Sequence, residues 1–336
     1  VSRRVAGDPQ LLSLPDWQVF PLLFGSGVDG DITISADTDG GCAGVFGYKQ
    51  ARNLTINSGI KLHAPAGSGN GGLVLAVSGV LDLQGYLRAD GSNATHAVGA
   101  SPAGNGGAGA GGNAGGPGHS TESPGYQGGQ HAAVGAGGAG GSGAVQTTPG
   151  GSQVGGSAAQ AKAASSIVPA FAATGLPYQQ TQTENAATAL GSTLARAWNR
   201  FALLAGAGAQ GGSAVAGASG ANRANGGGGG GGGGLIYIAA RHINFGGSCA
   251  LSAAGGNGGD GACNGAGSGW YGNAGQGGHG GRIVLICETY SGTPPTPNVL
   301  GGLIGRGYDG SSSTFVPSVA NSRSASGEYT LIRMRG

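Results

Sequence analysis

Nine glycines run without interruption from Gly226 to Gly234 and feed directly into an apolar stretch, "LIYIAA". Glycine loses more conformational freedom on folding than any other residue. Ordering the run would cost on the order of 9–18 kcal/mol at ~1–2 kcal/mol per residue. Either the run is a loose linker, or glycine is itself the packing material. The feature recurs, which favours the second reading. "GNGGLVLAVSG" and "GHGGRIVLICE" make the same junction of glycine tract and β-forming run.

Composition sharpens the choice. Glycine accounts for 80 of 336 residues, and charged residues for only 9%. Glycine-rich disorder normally comes with high net charge, whereas here the net charge is +2. No basic run supplies an electrostatic footprint for nucleic acid. No apolar stretch reaches the ~20 residues of a membrane-spanning helix. The N-terminal segment has arginines but no signal-peptide core.

Internal repetition organises the chain. Gly71–Asn93 and Gly233–Asn257 each open with Gly-Gly, then read as three short strands: Leu73–Val77, Val80–Leu83 and Tyr86–Ala89 in the first, Leu235–Ala239, His242–Phe245 and Cys249–Ala253 in the second. Gly280–Gly292 repeats the opening with Arg282–Ile286, and "DGDITISAD" adds a further strand. Short strands joined by Gly, Asn and Ser turns predict an all-β unit. The fold class expected is mostly β: a glycine-rich β-solenoid or compact sandwich with polyproline-II-like glycine segments and a short helical insertion. The continuous apolar runs "LIYIAA" and "RIVLIC" predict strands buried on both faces. Glycine-rich excursions are expected to project from the rungs at 99–156, 206–234 and 255–281. Their irregular period excludes collagen.

The domain reading is an N-terminal arm over 1–24, a glycine-rich β domain over 25–292 and a C-terminal linker and closing strand over 293–336. The helical insertion, 157–206, carries a capping-box pair, Thr181 and Glu184. Its apolar face includes Leu190, Leu194, Trp198 and Phe201, spaced as a docking face or a plug over a sheet edge.

Chemistry-bearing motifs are sparse. No nucleophile elbow, zinc-protease helix or phosphate loop occurs. The four cysteines, Cys42, Cys249, Cys263 and Cys287, allow three pairings and read as buried thiols or as one or two disulfides. The histidines are scattered, so no metal and no cofactor are expected. "GGNGGDGAC" formally matches a calcium-binding nonapeptide in a single copy. Asp29, Asp31, Asp37 and Asp39 read as turn residues. No paired-carboxylate site of a polysaccharide-cleaving enzyme is identifiable; Asp82 and Asp90, on or beside neighbouring strands, read as a solvated strand edge, or as a pair that a solenoid could bring together. Tyr126, Trp270, Tyr271 and His279 sit in glycine-rich stretches and are the candidate receptor-binding residues, since exposed aromatics give large contact area at low entropy cost.

The succession "LFGSGVDGDITISADT", "ARNLTINSGIKLHAPAG", "GGLVLAVSGVLDLQGYLRADG" and polyglycine followed by "LIYIAARHINFGGSCALSAAGGNGG" resembles the glycine-rich virion proteins of tailed phages, of tail-fibre, adhesin or head-fibre type. The resemblance covers about 23–93 and 226–288. The helical insertion departs from it, and it carries over no individual functional residue. It implies a non-enzymatic virion surface protein with a structural role and a receptor-binding one. Expected partners are other copies of the chain, other virion proteins, and a cell-surface glycan or protein. The alternatives are a secreted bacterial surface or extracellular filament protein, and a polysaccharide-depolymerising β-solenoid.

Overall fold

The computed structural model describes residues 24–40, 49–64, 73–97, 214–215, 223–264, 271–309, 314–316, 323–324 and 326–334. The helical insertion and its docking face, Leu190, Leu194, Trp198 and Phe201, lie outside them, as do Tyr126, Trp270 and Cys42. The described chain is mostly β. Its strands are β1 (Asp31–Ile34), β2 (Thr38–Asp39), β3 (Lys49–Ala51), β4 (Asn53–Ile56), β5 (Lys61–His63), β6 (Leu73–Leu83), β7 (Tyr86–Arg88), β8 (Ala214–Val215) and β9 (Arg223–Asn225). There follow β10 (Leu235–Phe245), β11 (Ala250–Ser252), β12 (Ala262–Asn264), β13 (Tyr271–Gly272), β14 (Arg282–Ser291), β15 (Gly307–Asp309), β16 (Thr314–Val316) and β17 (Glu328–Arg333).

Two parallel sheets form the body. The first has the order β1-β4-β6-β10-β14-β17, with β3 also on β6, and the second the order β2-β5-β7-β11. Both orders follow the chain. Each passage crosses from the first sheet to the second through a tight turn, at Asn57–Ile60, Gln84–Gly85 and Gly246–Ser248. Gly59 holds φ +78° in the first turn, a conformation that costs an L-residue energy. Gly85 is required for a different reason: a Cβ there would lie within 3.0 Å of the carbonyl oxygens of Asn57 and Ile60.

Alternate residues of the two sheets meet in one core. Leu54, Ile56, Leu81, Leu83, Ile243 and Phe245 come from the first sheet, and Leu62, Leu87 and Leu251 from the second. Each large aliphatic side chain contributes about 1.5–3 kcal/mol by its burial. The runs predicted to be buried on both faces are so: Leu235 to Ala240 are at most 2% exposed, and Ile283 to Cys287 at most 3%. On the outward side, Gly25 lies against Ala76, and the Phe24 ring sits 5.8 Å from the Arg241 guanidinium.

Where the sequence reads as two strands, Leu73–Val77 and Val80–Leu83, the structure has the single strand β6. Likewise β10 is continuous, with a register shift between Ala240 and His242 against β6. A bulge switches which residues face inward without ending the strand. Gly79 fits there because Asn53 Oδ1 and Arg52 O leave no room for a Cβ.

The described glycine tracts continue the strands end on instead of projecting from them, and the excursion 99–156 lies outside the described residues. Residues 226–234 lead into β10, 273–281 into β14, and 326–327 into β17; 89–97 follow β7, and 253–261 follow β11. A further tract, 298–306, begins at Asn298, which bridges Ser252 at the end of β11. This tract falls in the segment read from the sequence as the C-terminal linker. At their far ends the tracts run into short antiparallel pairs, β9 with β12, and β13 with β15 and β8.

All nine residues of the central tract, Gly226–Gly234, are buried. Its N–H groups alternate between neighbours. Gly227, Gly230 and Gly233 donate to the carbonyls of Asn273, Gln276 and His279 at 3.0, 2.8 and 2.9 Å, in parallel register. Gly228, Gly231 and Gly234 donate to Thr95, Ser92 and Ala89 at 3.3, 3.0 and 2.6 Å, in antiparallel register. The central carbonyls accept in turn from Gly256 and Gly259. The bonding direction thus returns every third residue along the tract.

Candidate functional site

The tract geometry decides which side chains reach the surface. In 253–261 the sequence reads Asn257-Gly-Gly-Asp260, and in 273–281 Gln276-Gly-Gly-His279-Gly-Gly-Arg282. Two positions of each triplet face other tracts, and a Cβ at Gly227, Gly230, Gly255, Gly256, Gly258, Gly259, Gly275 or Gly278 would lie within 3.0 Å of a neighbour's carbonyl oxygen. The third position points outward and is the one free to vary.

On the face built by 89–97, 253–261 and 298–306, these outward residues do a second job. Their own N–H groups face away from the lattice, and polar side chains of the adjacent tract accept from them. Asn93 Oδ1 accepts from Asn257 N–H at 2.8 Å, and Asn257 Oδ1 from Leu303 N–H at 2.8 Å. One triplet along, His96 Nδ1 accepts from Asp260 N–H at 3.0 Å, and Asp260 Oδ1 from Arg306 N–H at 2.6 Å. Asp90 Oδ1 accepts from Ala254 N–H at 2.8 Å. With the carbonyl partners, every N–H from Ala254 to Gly261 is thereby satisfied.

Asp260 is the electrostatic centre of this face. Its Oδ2 lies 2.7 Å from Arg306 Nη2 and 3.4 Å from His96 Nδ1. Burial pushes the Asp260 carboxyl up, but the Arg306 hydrogen bonds and charge outweigh it and leave it below its ordinary value. The carboxylate that fits the calcium nonapeptide is therefore engaged by a guanidinium. Among the described residues no group of three or more His, Cys, Asp or Glu is arranged to hold a metal ion.

A second polar array lies on the outward side of the first sheet. His242, Asn244 and Asp82 share registered positions with Thr289 and Ser291. The donors run one way. Thr289 Oγ1 lies 2.8 Å from His242 Nδ1, and His242 Nε2 lies 3.1 Å from Ser291 Oγ. Ser291 donates to Asn244 Oδ1 at 3.0 Å, and Asn244 Nδ2 to Asp82 Oδ1 at 2.7 Å. Gln84 Nε2 also donates to Asp82, at 2.6 Å. This chain places the imidazole proton on Nε2. A serine that gives its proton to an amide and receives one from the imidazole is not an activated nucleophile, which would need the histidine as its base. The array suits holding strands together and presenting polar groups.

Asp82 and Asp90 are not brought together. Asp82 belongs to the first sheet, and Asp90 follows β7 of the second, where it accepts from Ser252 and lies 3.7 Å from Arg88. At the first edge, Arg52 holds Asp31 through two hydrogen bonds, at 2.8 and 2.6 Å, and lowers its pKa to about 2. Lys61, through its backbone N–H and its ammonium, lowers that of Asp37.

Of the receptor candidates, Tyr271 lies on β13, opposite Asp309 and Val215. His279 is a half-buried outward residue of the tract 273–281, and its carbonyl accepts from Gly233. The described residues from Tyr271 to Gly281 run extended. Eight residues separate Tyr271 from His279, roughly 25 Å at ~3.1 Å per residue, so they do not form one patch. Cys249 and Cys287 are buried free thiols, their pKa values raised by burial, and Cys263 Sγ lies 3.9 Å from the Tyr308 carbonyl oxygen. The outward triplet residues Asn93, Asn257, Asp260 and Arg306 are absent from the aromatic-based expectation. The spacing Asn257-Gly-Gly-Asp260 sets that pair apart in the sequence, whereas Asn93 and Arg306 lie in no such triplet. No protein-family model, no curated protein and no solved structure matches this chain.

Proposed function

We propose that the chain is a non-enzymatic surface scaffold of a virion, a fibre or adhesin component. Its rungs form a β-solenoid whose strands run on into a polyproline-II-like glycine lattice. The observation that carries this reading is the buried central tract, bonded at three-residue intervals to 89–97 on one side and 273–281 on the other. A lattice closed to side chains within, and fixed at both ends by strand pairs, makes a stiff platform. Within 253–261 and 273–281 the room for larger side chains lies at the outward positions. Those positions, Asn93, His96, Gln276, His279 and Arg306, are where host recognition would act, on a cell-surface glycan or protein. The resemblance to glycine-rich phage virion proteins supports the same conclusion.

The second reading, an extracellular filament protein, is favoured by two parallel sheets that grow in chain order, the first of them ending, among the described residues, in strands paired on one side only, β1 and β17. Antibody labelling of purified particles and of intact cells separates the two. Label on particle surfaces is the expected result. Label confined to cell-surface filaments would replace the first reading with the second, and a protein found only free in solution would overturn both.

A further inference from the structure

We infer that copies of the chain join end to end, with the free edge of β17 in one copy pairing in parallel with the free edge of β1 in the next. The inference rests on the scaffold reading only in treating the chain as an assembling component; its support is geometric. Among the described residues β1 pairs only with β4, and β17 only with β14. Glu328 N–H donates to Gly281 O, and Met334 N–H to Cys287 O. Even-numbered residues of β17 therefore bond inward, and Tyr329, Leu331 and Arg333 turn their backbone groups to the open edge. On β1, the carbonyls of Gly30 and Ile34 accept from Arg52 and Asn57, so Asp31 and Thr33 face the opposite open edge. All strands of the sheet run parallel, so β1 of a second copy continues it beyond β17 without reversal.

The core is unfinished at the same two ends. The partly buried hydrophobics packed against it are Ile32 and Ile60 near the first edge, and Val299, Tyr329 and Leu331 near the last. Charge selects unlike ends over a symmetric pair. Residues 24–40 carry Asp29, Asp31, Asp37 and Asp39 and no basic residue, with Arg52 and Lys61 pairing Asp31 and Asp37 from the next strands in, whereas β17 and its approach carry Arg323 and Arg333 against Glu328. Two first edges would repel, and a first edge facing a last edge would not. Such a heterologous contact does not close on itself and propagates as a filament.

Sedimentation of the full chain from about 1 to 100 µM tests this. The expected result is a series of species that lengthens with concentration and shortens at high salt. Thr33 is exposed and turns its N–H to the open edge, so Thr33→Pro should raise the concentration needed for assembly at least tenfold while leaving the circular dichroism unchanged. Should that variant fold poorly, Arg333→Glu on the other edge is expected to weaken assembly in the same direction. A monomer at every concentration, or a closed dimer unaffected by both substitutions, overturns the inference. A chain that remains monomeric yet labels virion surfaces defeats end-to-end joining and leaves the scaffold reading standing. One that assembles but never labels particles does the reverse.

Discussion

At the scale of single residues, the lattice separates glycines that must be glycine from neighbours that need not be. A Cβ on Gly230 would meet the carbonyl oxygen of Gly256 and the amide nitrogen of Gly278, both backbone atoms held by other bonds. Neither can rotate away as a side chain would. Gly230→Ala should therefore cost about 3 kcal/mol or more, the upper range for overpacking. Exposed Gln276, on the adjacent tract, should tolerate alanine within about 0.5 kcal/mol. Urea denaturation of the two variants measures the contrast, and equal effects would contradict the packing described. The edge carboxylate Asp31 gives a second residue-scale test. Its pKa is held at about 2 by Arg52, below the ~3.9 of an unfolded aspartate. A depressed carboxylate contributes stability that is present above the unfolded value and lost as pH falls toward the folded one. The parent should thus lose thermal stability between about pH 4 and pH 2 more steeply than Asp31→Asn. The exposure of this ion pair keeps the difference small.

At the scale of elements, the side-chain ladder on the outward face explains how a glycine tract ends laterally. An interior tract finds carbonyls on its sides, but a surface tract has N–H groups that point away from the lattice. Asn93 and Asn257 take those of the neighbouring tract. Asn257→Ala would leave Leu303 N–H, half-buried, without this acceptor and should cost about 1–2 kcal/mol. Gln276→Ala, at an exposed position of the tract 273–281 that contributes its carbonyl rather than its side chain to Gly230, should cost much less. Thermal melts of both variants provide the check, and the reverse order would rule out the capping role. This ladder also marks where the sequence ceased to be legible. Burial of "LIYIAA" on both faces followed from residue type alone, and the tight turns followed from Gly and Asn. Gly79 and Arg241 read as strand breaks because a bulge and a break have the same local signature, and only the neighbouring strand distinguishes them. Asn, Asp and His at every third position have the composition of ordinary loops. Their role depends on a tract some 46 or 164 residues away, which no local pattern encodes.

At the scale of the molecule, the sheets and the glycine lattice share single chains. Residues 226–234 become β10 without a joint, and 273–281 become β14, so a tract cannot detach without pulling on a central strand. The core between the sheets supplies the hydrophobic stabilisation that a side-chain-free lattice lacks, and the lattice supplies hydrogen bonds that cost little extra once its strands are anchored. The two parts should therefore unfold together. Hydrogen exchange tests this residue by residue. The amides of Gly227, Gly228, Gly230, Gly231, Gly233 and Gly234, each bonded to a carbonyl of another tract, should exchange as slowly as those of β10, through the same global opening. Gly230→Ala should accelerate both sets by the same factor, because it lowers the free energy of one shared transition. Fast exchange across the nine glycines with β10 still protected would mean that the tract opens on its own. In that case the stiffness attributed to the scaffold would reside in the sheets alone.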